Sequence, residues 1–315
     1  MSNMKILVLG AGGVGGYFGG RLAAAGADVT FLVREGRRAK LESEGLRIKS
    51  QFGDASIAVR TVLQDDVRSE YDLVLIACKA YDLSSAIEAV APALKPSGAI
   101  LPLLNGIAHV ELLNDRFGGE RVLGGTVKIQ ATLTPDGVVH QLNDWRYITF
   151  GEQDGTMSPR VLALKAAFDS AKGVEAEAVP DILQRMWEKL VHLCTAATMT
   201  CLMRANVGEI VRTPAGNAQF LNMLEAVANI AAANGHRPSD AFMATYRNIF
   251  SERESQYSTS MLRDIEHGNQ TEGDHIIGFM LEKAGQAGLE NPTLALAHTH
   301  LKAYDERRVG RPKAA

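Results

Sequence analysis

Cysteine is scarce: there are three in 315 residues, Cys78, Cys194 and Cys201. Their odd number and the lack of C-x-x-C spacing suggest neither a disulfide framework nor a structural zinc site, so all three are expected as buried thiols. No apolar run approaches the roughly eighteen residues that a membrane-crossing helix needs, which excludes a membrane span. Charge of one sign is also missing. The formal net charge is −3, and the only Lys/Arg-rich stretch is the short tail Arg307–Lys313, read as a frayed terminus. Nothing therefore points to a nucleic-acid partner. Repeats and low-complexity tracts are absent. No metal site is suggested, because His298 and His300 stand two apart and would point in different directions on a helix. The first apolar run begins almost at Met1, leaving no room for a signal peptide, and the cytoplasm is the expected location.

What is present is apolar content of 46% in a chain long enough for about two domains, each with its own core. Lys5-Ile6-Leu7-Val8-Leu9 reads as a buried parallel strand, and Val14, Phe18, Leu22 and Ala25 mark the helix after it. Between them stand Gly10, Ala11, Gly12, Gly13, Val14 and Gly15, a G-x-G-x-x-G arrangement in its required strand–turn–helix context. Gly10 allows a tight turn, Gly12 the close approach of backbone to a pyrophosphate, and Gly15 close packing of helix on strand. Unpaired amides and the helix dipole make this turn an anion site, and the expectation is a dinucleotide cofactor. The second strand, Asp28 to Val33, ends at Arg34, with Arg37 and Arg38 close behind. An NAD enzyme usually carries an acid here, whereas a guanidinium fork matches the 2′-phosphate of NADP. NADP is the favoured cofactor, although the three arginines also fit a solvated helix start and Glu35 is placed to bind ribose instead.

Strands and helices alternate through the first half. Ile57–Val59, Tyr71–Ala77 and Ala99–Leu104 read as strands, with a helix over 82–91. Further strands are expected over 122–127, 138–140 and 147–150, the last two flanking Asn143-Asp144. From Asp181 onward only helical patterns occur, over 181–203, 214–234, 239–267 and 273–286. The fold class is α/β: a Rossmann-type, doubly wound parallel sheet followed by an all-α C-terminal domain. The domains are 1–178, binding the dinucleotide, and 179–315, helical, with apolar faces around 214–234 suited to a homodimer.

In such folds the ligand lies outside the carboxyl ends of the strands, which directs attention to polar residues there. Lys79 follows the central strand and either neutralises phosphate or ribose charge or caps a surface helix. Asn105 follows the next one and either bonds substrate or nicotinamide ribose or serves the Asn-Gly turn. Thr126 to Ala131 is expected beside the nicotinamide, Ala131 by backbone alone. In the helical half, Lys189 could give a proton to a ketone oxygen as hydride reaches carbon, or be a helix charge paired with Arg185 or Glu188. Ser260 by itself is an ordinary polar helix residue. Glu272 opens a helix, where Thr271 and Asp274 resemble a capping box.

Together these residues resemble the ketopantoate reductase (2-dehydropantoate 2-reductase) family. The shared motifs are Gly10 to Gly15, Arg34, Cys78-Lys79, Leu104-Asn105-Gly106, Gly125-Thr126, Trp187-Glu188-Lys189-Leu190, Ser260-Met261-Leu262-Arg263-Asp264-Ile265 and Thr271-Glu272, in order along nearly the whole chain. The resemblance implies NADPH-dependent reduction of a branched 2-oxo acid in pantothenate synthesis. It makes Lys189 the proton donor to the C2 carbonyl and sets Asn105 beside substrate and nicotinamide. Ser260 would bind the substrate carboxylate, and Glu272 would hydrogen-bond the nicotinamide ribose or a substrate hydroxyl. Where the family usually has Asn, four and eight residues after the lysine and again later, this chain has Leu193, Ala197 and Ile277. Its Asn-Gly-Glu becomes Val207-Gly208-Glu209 beside Asn206. A pocket without those amides suits a more apolar 2-oxo acid, or a protein that binds NADPH without catalysis. His192 is either a replacement donor or a satisfied histidine.

Overall fold

The computed structural model describes residues 4–310. Among them the chain runs β1 (Lys5–Leu9), α1 (Gly13–Ala24), β2 (Asp28–Leu32), α2 (Glu35–Glu44), β3 (Leu46–Lys49), β4 (Ala55–Ile57), β5 (Arg60–Val62), β6 (Tyr71–Ile76), α3 (Leu83–Val90) and β7 (Leu94–Pro102). It continues through α4 (Ala108–Phe117), β8 (Leu123–Leu133), β9 (Val138–Glu152), α5 (Pro159–Asp169) and β10 (Glu175–Ala178). Helices follow: α6 (Ile182–Met203), α7 (Val207–Val211), α8 (Gly216–Ala233), α9 (Asp240–Ile249), α10 (Ser260–Glu266), a π turn (Asp274–Gly278), α11 (Phe279–Gln286) and α12 (Pro292–Val309). Two compact units result, one reaching Asn105 and resuming over His109–Leu183, the other made of Gly106–Ala108 and everything from Gln184. This division falls a few residues beyond the expected break at 178/179, and it assigns the turn after β7 to the helical unit.

The first unit holds a five-stranded parallel sheet in the order β5-β2-β1-β6-β7. Ile6, Val8, Phe31 and Leu75 pack with Phe18 and Leu22 of α1 on one face. Leu7, Leu32, Val74 and Ile76 pack with Leu83 and Val90 of α3 on the other. Burial on both faces is why residues 6–9 of β1 and 73–76 of β6 are continuously apolar rather than alternating. A second sheet, β10-β9-β3-β4 with β8 pairing β9, lies across α1. An added Cβ on Gly19 would lie 2.8 Å from Val8 of the first sheet, and one on Gly20 2.7 Å from Leu46 of the second. Glycine costs about 1 kcal/mol per position in a helix interior, offset here by close approach to both sheets.

Several expected elements differ. The single strand at Ile57–Val59 is instead the crossing point between β4 and β5, which belong to different sheets. The strands at 138–140 and 147–150 are one continuous β9, whose register against β8 shifts between Ile129 and Ala131. The Asn143 side chain accepts from the amides of Gln130 (3.2 Å) and Trp145 (3.3 Å), satisfying the backbone at that bulge. The expected helix over 239–267 is two helices, α9 and α10. The segment between them offers the carbonyls of Ser255 and Tyr257 to the amides of Gly208 and Val207, at the start of α7. Pro102 ends β7, where its missing N–H is tolerated. The tail read as frayed is helical as far as Val309 and capped by Gly310, with Arg308 against Asp305 and Gln270; the rest of it, from 311, lies like Met1–Asn3 outside the described residues. Helices α4, α5, α7 and α12 and strands β3, β5 and β10 lie outside every range expected from the sequence. No helix among the described residues is long and apolar enough to cross a membrane.

Candidate active site

The glycine turn is built as its sequence requires. Gly10 has φ +87°, and its amide donates to the Leu32 carbonyl at 2.9 Å, tying the end of β1 to β2. Gly12, extended at φ −86°, begins α1 with no side-chain cap and no acidic residue in the first turn. The helix-start amides therefore meet no carboxylate of their own helix. A Cβ added at Gly10 or Gly12 would meet nothing within 4 Å. One at Gly15 would strike the Gly10 carbonyl, with Ala77 3.2 Å away, and one at Gly13 would strike the carbonyl of Ala131. Gly15 is thus demanded by packing within the chain, whereas Gly12 borders open space.

Arg34 stands just past β2, exposed, as the N-cap of α2, with no ion pair among the described residues. Lys79 follows β6 and begins the short 3₁₀ turn Ala80–Asp82; it is half-buried. Asn105 follows β7, also half-buried, and the next residue, Gly106, has φ +84°. The parallel order β2-β1-β6-β7 sets the glycine turn, Arg34, Lys79 and Asn105 along one carboxyl edge of the sheet. Ala131 is not in that sheet. It lies in β8 of the second sheet, with its carbonyl against Gly13, so the structure ties it to the glycine turn. Neither that contact nor the hydrogen bonds of Arg37 to the Ala11 and Gly137 carbonyls carries a local sequence signal beyond the presence of the arginine itself.

In the helical unit Lys189 sits half-buried on α6. Its helix is held against the segment between α8 and α9: Trp187 stacks on His236 with centroids 5.1 Å apart, and the Glu188 carboxylate accepts from the Ser239 amide at 2.8 Å. Burial lowers the His236 pKa, so the stack pairs Trp187 with an imidazole biased toward its neutral form. Leu193 is half-buried, and Ala197 and Ile277 are fully so. His192 is a satisfied histidine: its two ring nitrogens lie 2.9 Å from the Tyr257 hydroxyl and 3.2 Å from that of Tyr246, and it stacks on Tyr246. Burial pushes Tyr246 up to about 12, so both partners stay neutral phenols near pH 7.

Ser260 is exposed at the first turn of α10, directly after the cap Thr259, whose hydroxyl accepts from the Leu262 amide at 3.1 Å. Glu272 is 6% exposed, and its carbonyl accepts from the Ile276 amide. The expected capping box of Thr271 and Asp274 does not form. The Thr271 hydroxyl donates to Asp305 at 2.8 Å, and Asp274 bonds His298 and Lys302. Burial alone would raise the Asp274 pKa, but the Lys302 and His298 bonds outweigh it and the net shift is downward. Asn206 and Glu209 are a capping box for α7, a structural use of the residues nearest the family's Asn-Gly-Glu. Burial pushes the thiols of Cys194 and Cys201 up to about 12, which leaves them unreactive. Among the described residues no group of three His, Cys, Asp or Glu could hold a metal ion.

The dinucleotide turn at the edge of a parallel sheet, joined in one chain to a helical unit carrying Lys189, is the arrangement of a nicotinamide-dependent oxidoreductase acting on a CH–OH group. Comparison with known proteins gives the family. Residues 6–155 match the family described as ketopantoate reductase PanE/ApbA, and residues 181–305 match its C-terminal domain. The chain belongs to the ketopantoate reductase family. It is 36% identical to the uncharacterized oxidoreductase YkpB of Bacillus subtilis, over 97% of this chain and 100% of that one. It is 29% identical to a 2-dehydropantoate 2-reductase of Archaeoglobus fulgidus, over 92% and 94% of the two chains. A solved 2-dehydropantoate 2-reductase from Geobacter metallireducens superposes with TM-score 0.84 at 28% identity, covering 95% of this chain and 99% of that one.

Proposed function

We propose that the protein is an NADPH-dependent 2-dehydropantoate 2-reductase that converts ketopantoate to pantoate in pantothenate biosynthesis, in the cytoplasm. The observation that carries this reading is the open cradle at Gly10 and Gly12, with exposed Arg34 at the end of the neighbouring strand. Gly10, Ala11, Gly12, Gly13, Val14 and Gly15 hold the pyrophosphate on backbone amides, and Arg34 binds the 2′-phosphate through its planar fork of donors. Lys79 neutralises phosphate or ribose charge, and Ala131 supports the turn through its backbone. Bound NADPH supplies the hydride for C2. Lys189 delivers the proton to the C2 oxygen, which spares the transition state an unprotonated alkoxide. Asn105 hydrogen-bonds substrate and nicotinamide ribose, Ser260 the substrate carboxylate, and Glu272 the ribose or a substrate hydroxyl. The helical half also offers the faces for a homodimer.

A second reading keeps the chemistry and changes the acid. Leu193, Ala197 and Ile277 supply no amide, and both nitrogens of His192 are already engaged by tyrosines. That favours a 2-oxo acid with a more apolar side chain, since a substrate hydroxyl gains little where no donor awaits it. Purified protein mixed with NADPH or NADH and a series of 2-oxo acids decides between them, followed by loss of reduced-cofactor absorbance. Turnover with ketopantoate is the expected result. Turnover only with acids lacking the hydroxyl selects the second reading, and binding with no turnover on any acid removes the enzyme reading.

Arg34→Ala tests the cofactor phosphate. A charge-assisted bond contributes about 1.5–3 kcal/mol, so KM for NADPH should rise roughly ten- to hundredfold while KM for NADH changes less than about twofold. Equal changes for both cofactors would count against phosphate recognition.

A further inference from the structure

Of the two arginines after Arg34, Arg38 is spent on its own helix, pairing with Glu42 at 2.7 Å. Arg37 turns the other way. One terminal nitrogen donates to the Ala11 carbonyl within the glycine turn at 3.0 Å, and the other to the Gly137 carbonyl between β8 and β9, also at 3.0 Å. Its guanidinium is partly buried; burial and the nearby Arg47 charge lower its pKa, with Glu44 opposing. Its Nε is buried with no hydrogen-bond partner among the described residues. Ala11 is 3% exposed, and a Cβ on Gly137 would lie 2.9 Å from the Arg37 Nη1. The contact is therefore tight on both sides.

The Ala11 carbonyl and the Gly12 amide belong to one planar trans peptide, so they point in opposite directions. Whatever holds the oxygen also aims the N–H. Glycine at position 12 places little steric restraint on rotation of that peptide, and the chain supplies the restraint through a charged donor on the oxygen.

We propose that Arg37 is a positioning residue for the dinucleotide, holding the Ala11–Gly12 peptide in the orientation that turns the Gly12 amide toward the pyrophosphate. It acts through the turn and does not bind the 2′-phosphate. The proposal rests on the dinucleotide reading of that turn. Its role is thus separate from that of Arg34, although the two stand only three residues apart.

The test compares Arg37→Met, Arg37→Lys and Arg34→Ala by cofactor fluorescence titration, together with amide hydrogen exchange of the cofactor-free protein over residues 10–14. Arg37→Met should weaken NADPH and NADH by the same factor, roughly ten- to thirtyfold, with kcat at saturating cofactor unchanged within about twofold. Exchange over 10–14 should accelerate in the cofactor-free variant. Arg37→Lys, which keeps a charged donor and is the variant to use should Arg37→Met fail to fold, should recover part of both losses. Selective loss of NADPH would make Arg37 a phosphate ligand and overturn the proposal. Unchanged affinity and exchange would overturn it as well. Wild-type protein that binds neither dinucleotide would overturn the cofactor reading and this role with it, whereas faster exchange beside intact affinity would overturn this role alone.

Discussion

Lys189→Ala should lower kcat for 2-oxo acid reduction by at least about a hundredfold and leave NADPH affinity within about twofold. The asymmetry follows from what the side chain is asked to do. A positioned acid acts on the oxygen as charge develops there, so its loss falls on turnover rather than on binding of the carrier. The helix around it should not move. Trp187 remains stacked on His236, Glu188 remains bonded to the Ser239 amide, and Met186 and Leu190 stay in the core. Lys189→Arg separates acid from mere charge, because a guanidinium keeps the positive charge but does not release its proton. If Lys189 is the acid, arginine should be nearly as slow as alanine; if only its charge matters, arginine should restore the rate. Turnover unchanged in Lys189→Ala would remove the residue from its role.

The sequence announced the nucleotide half well because the same residues carry fold and function there. β1 is apolar from Ile6 to Leu9 since both its faces are covered, and the glycines around it are required by a turn at Gly10 and by close packing at Gly13 and Gly15. Arg34 was legible for a similar reason, as the first polar residue after a buried strand. The misreadings lie where local pattern and tertiary use part company. Three apolar residues at Ile57–Val59 look like a strand, yet Ile57 ends β4 and the next two residues only link it to β5 in the other sheet, and no local signal marks the change. Asn143 resembles a turn residue but fills a bulge within one long strand. Thr271 and Asp274 have capping-box spacing, but Asp305, His298 and Lys302 on α12 offer better partners, and that helix had gone unrecognised. The roles proposed for Lys189, Ser260 and Glu272 come only from the resemblance. Lys189 and Ser260 are alone ordinary helix residues, and Glu272 stands just before the turn that opens at Gly273.

Gly12→Ala and Gly15→Ala should fail in opposite ways, although they lie three residues apart in one motif. At Gly15 the new methyl strikes the Gly10 carbonyl and crowds Ala77 and Val8, all within the chain. Overpacking against backbone of this kind costs about 2–3 kcal/mol, so the cofactor-free protein should lose roughly 5–10 °C of Tm. At Gly12 the methyl meets no protein atom within 4 Å, and φ of −86° suits alanine. The Tm of the cofactor-free protein should therefore move by no more than about 2 °C. Binding is another matter. If a pyrophosphate approaches that backbone closely enough to take its amides, the methyl occupies the same space, and NADPH affinity should drop by about a hundredfold or more. Calorimetric melting without cofactor, paired with fluorescence titration of NADPH, reads both effects on the same samples. Gly12→Ala protein that melts normally and still binds NADPH normally would place the anion elsewhere. The glycine at position 12 would then owe its presence to neither the fold nor the ligand.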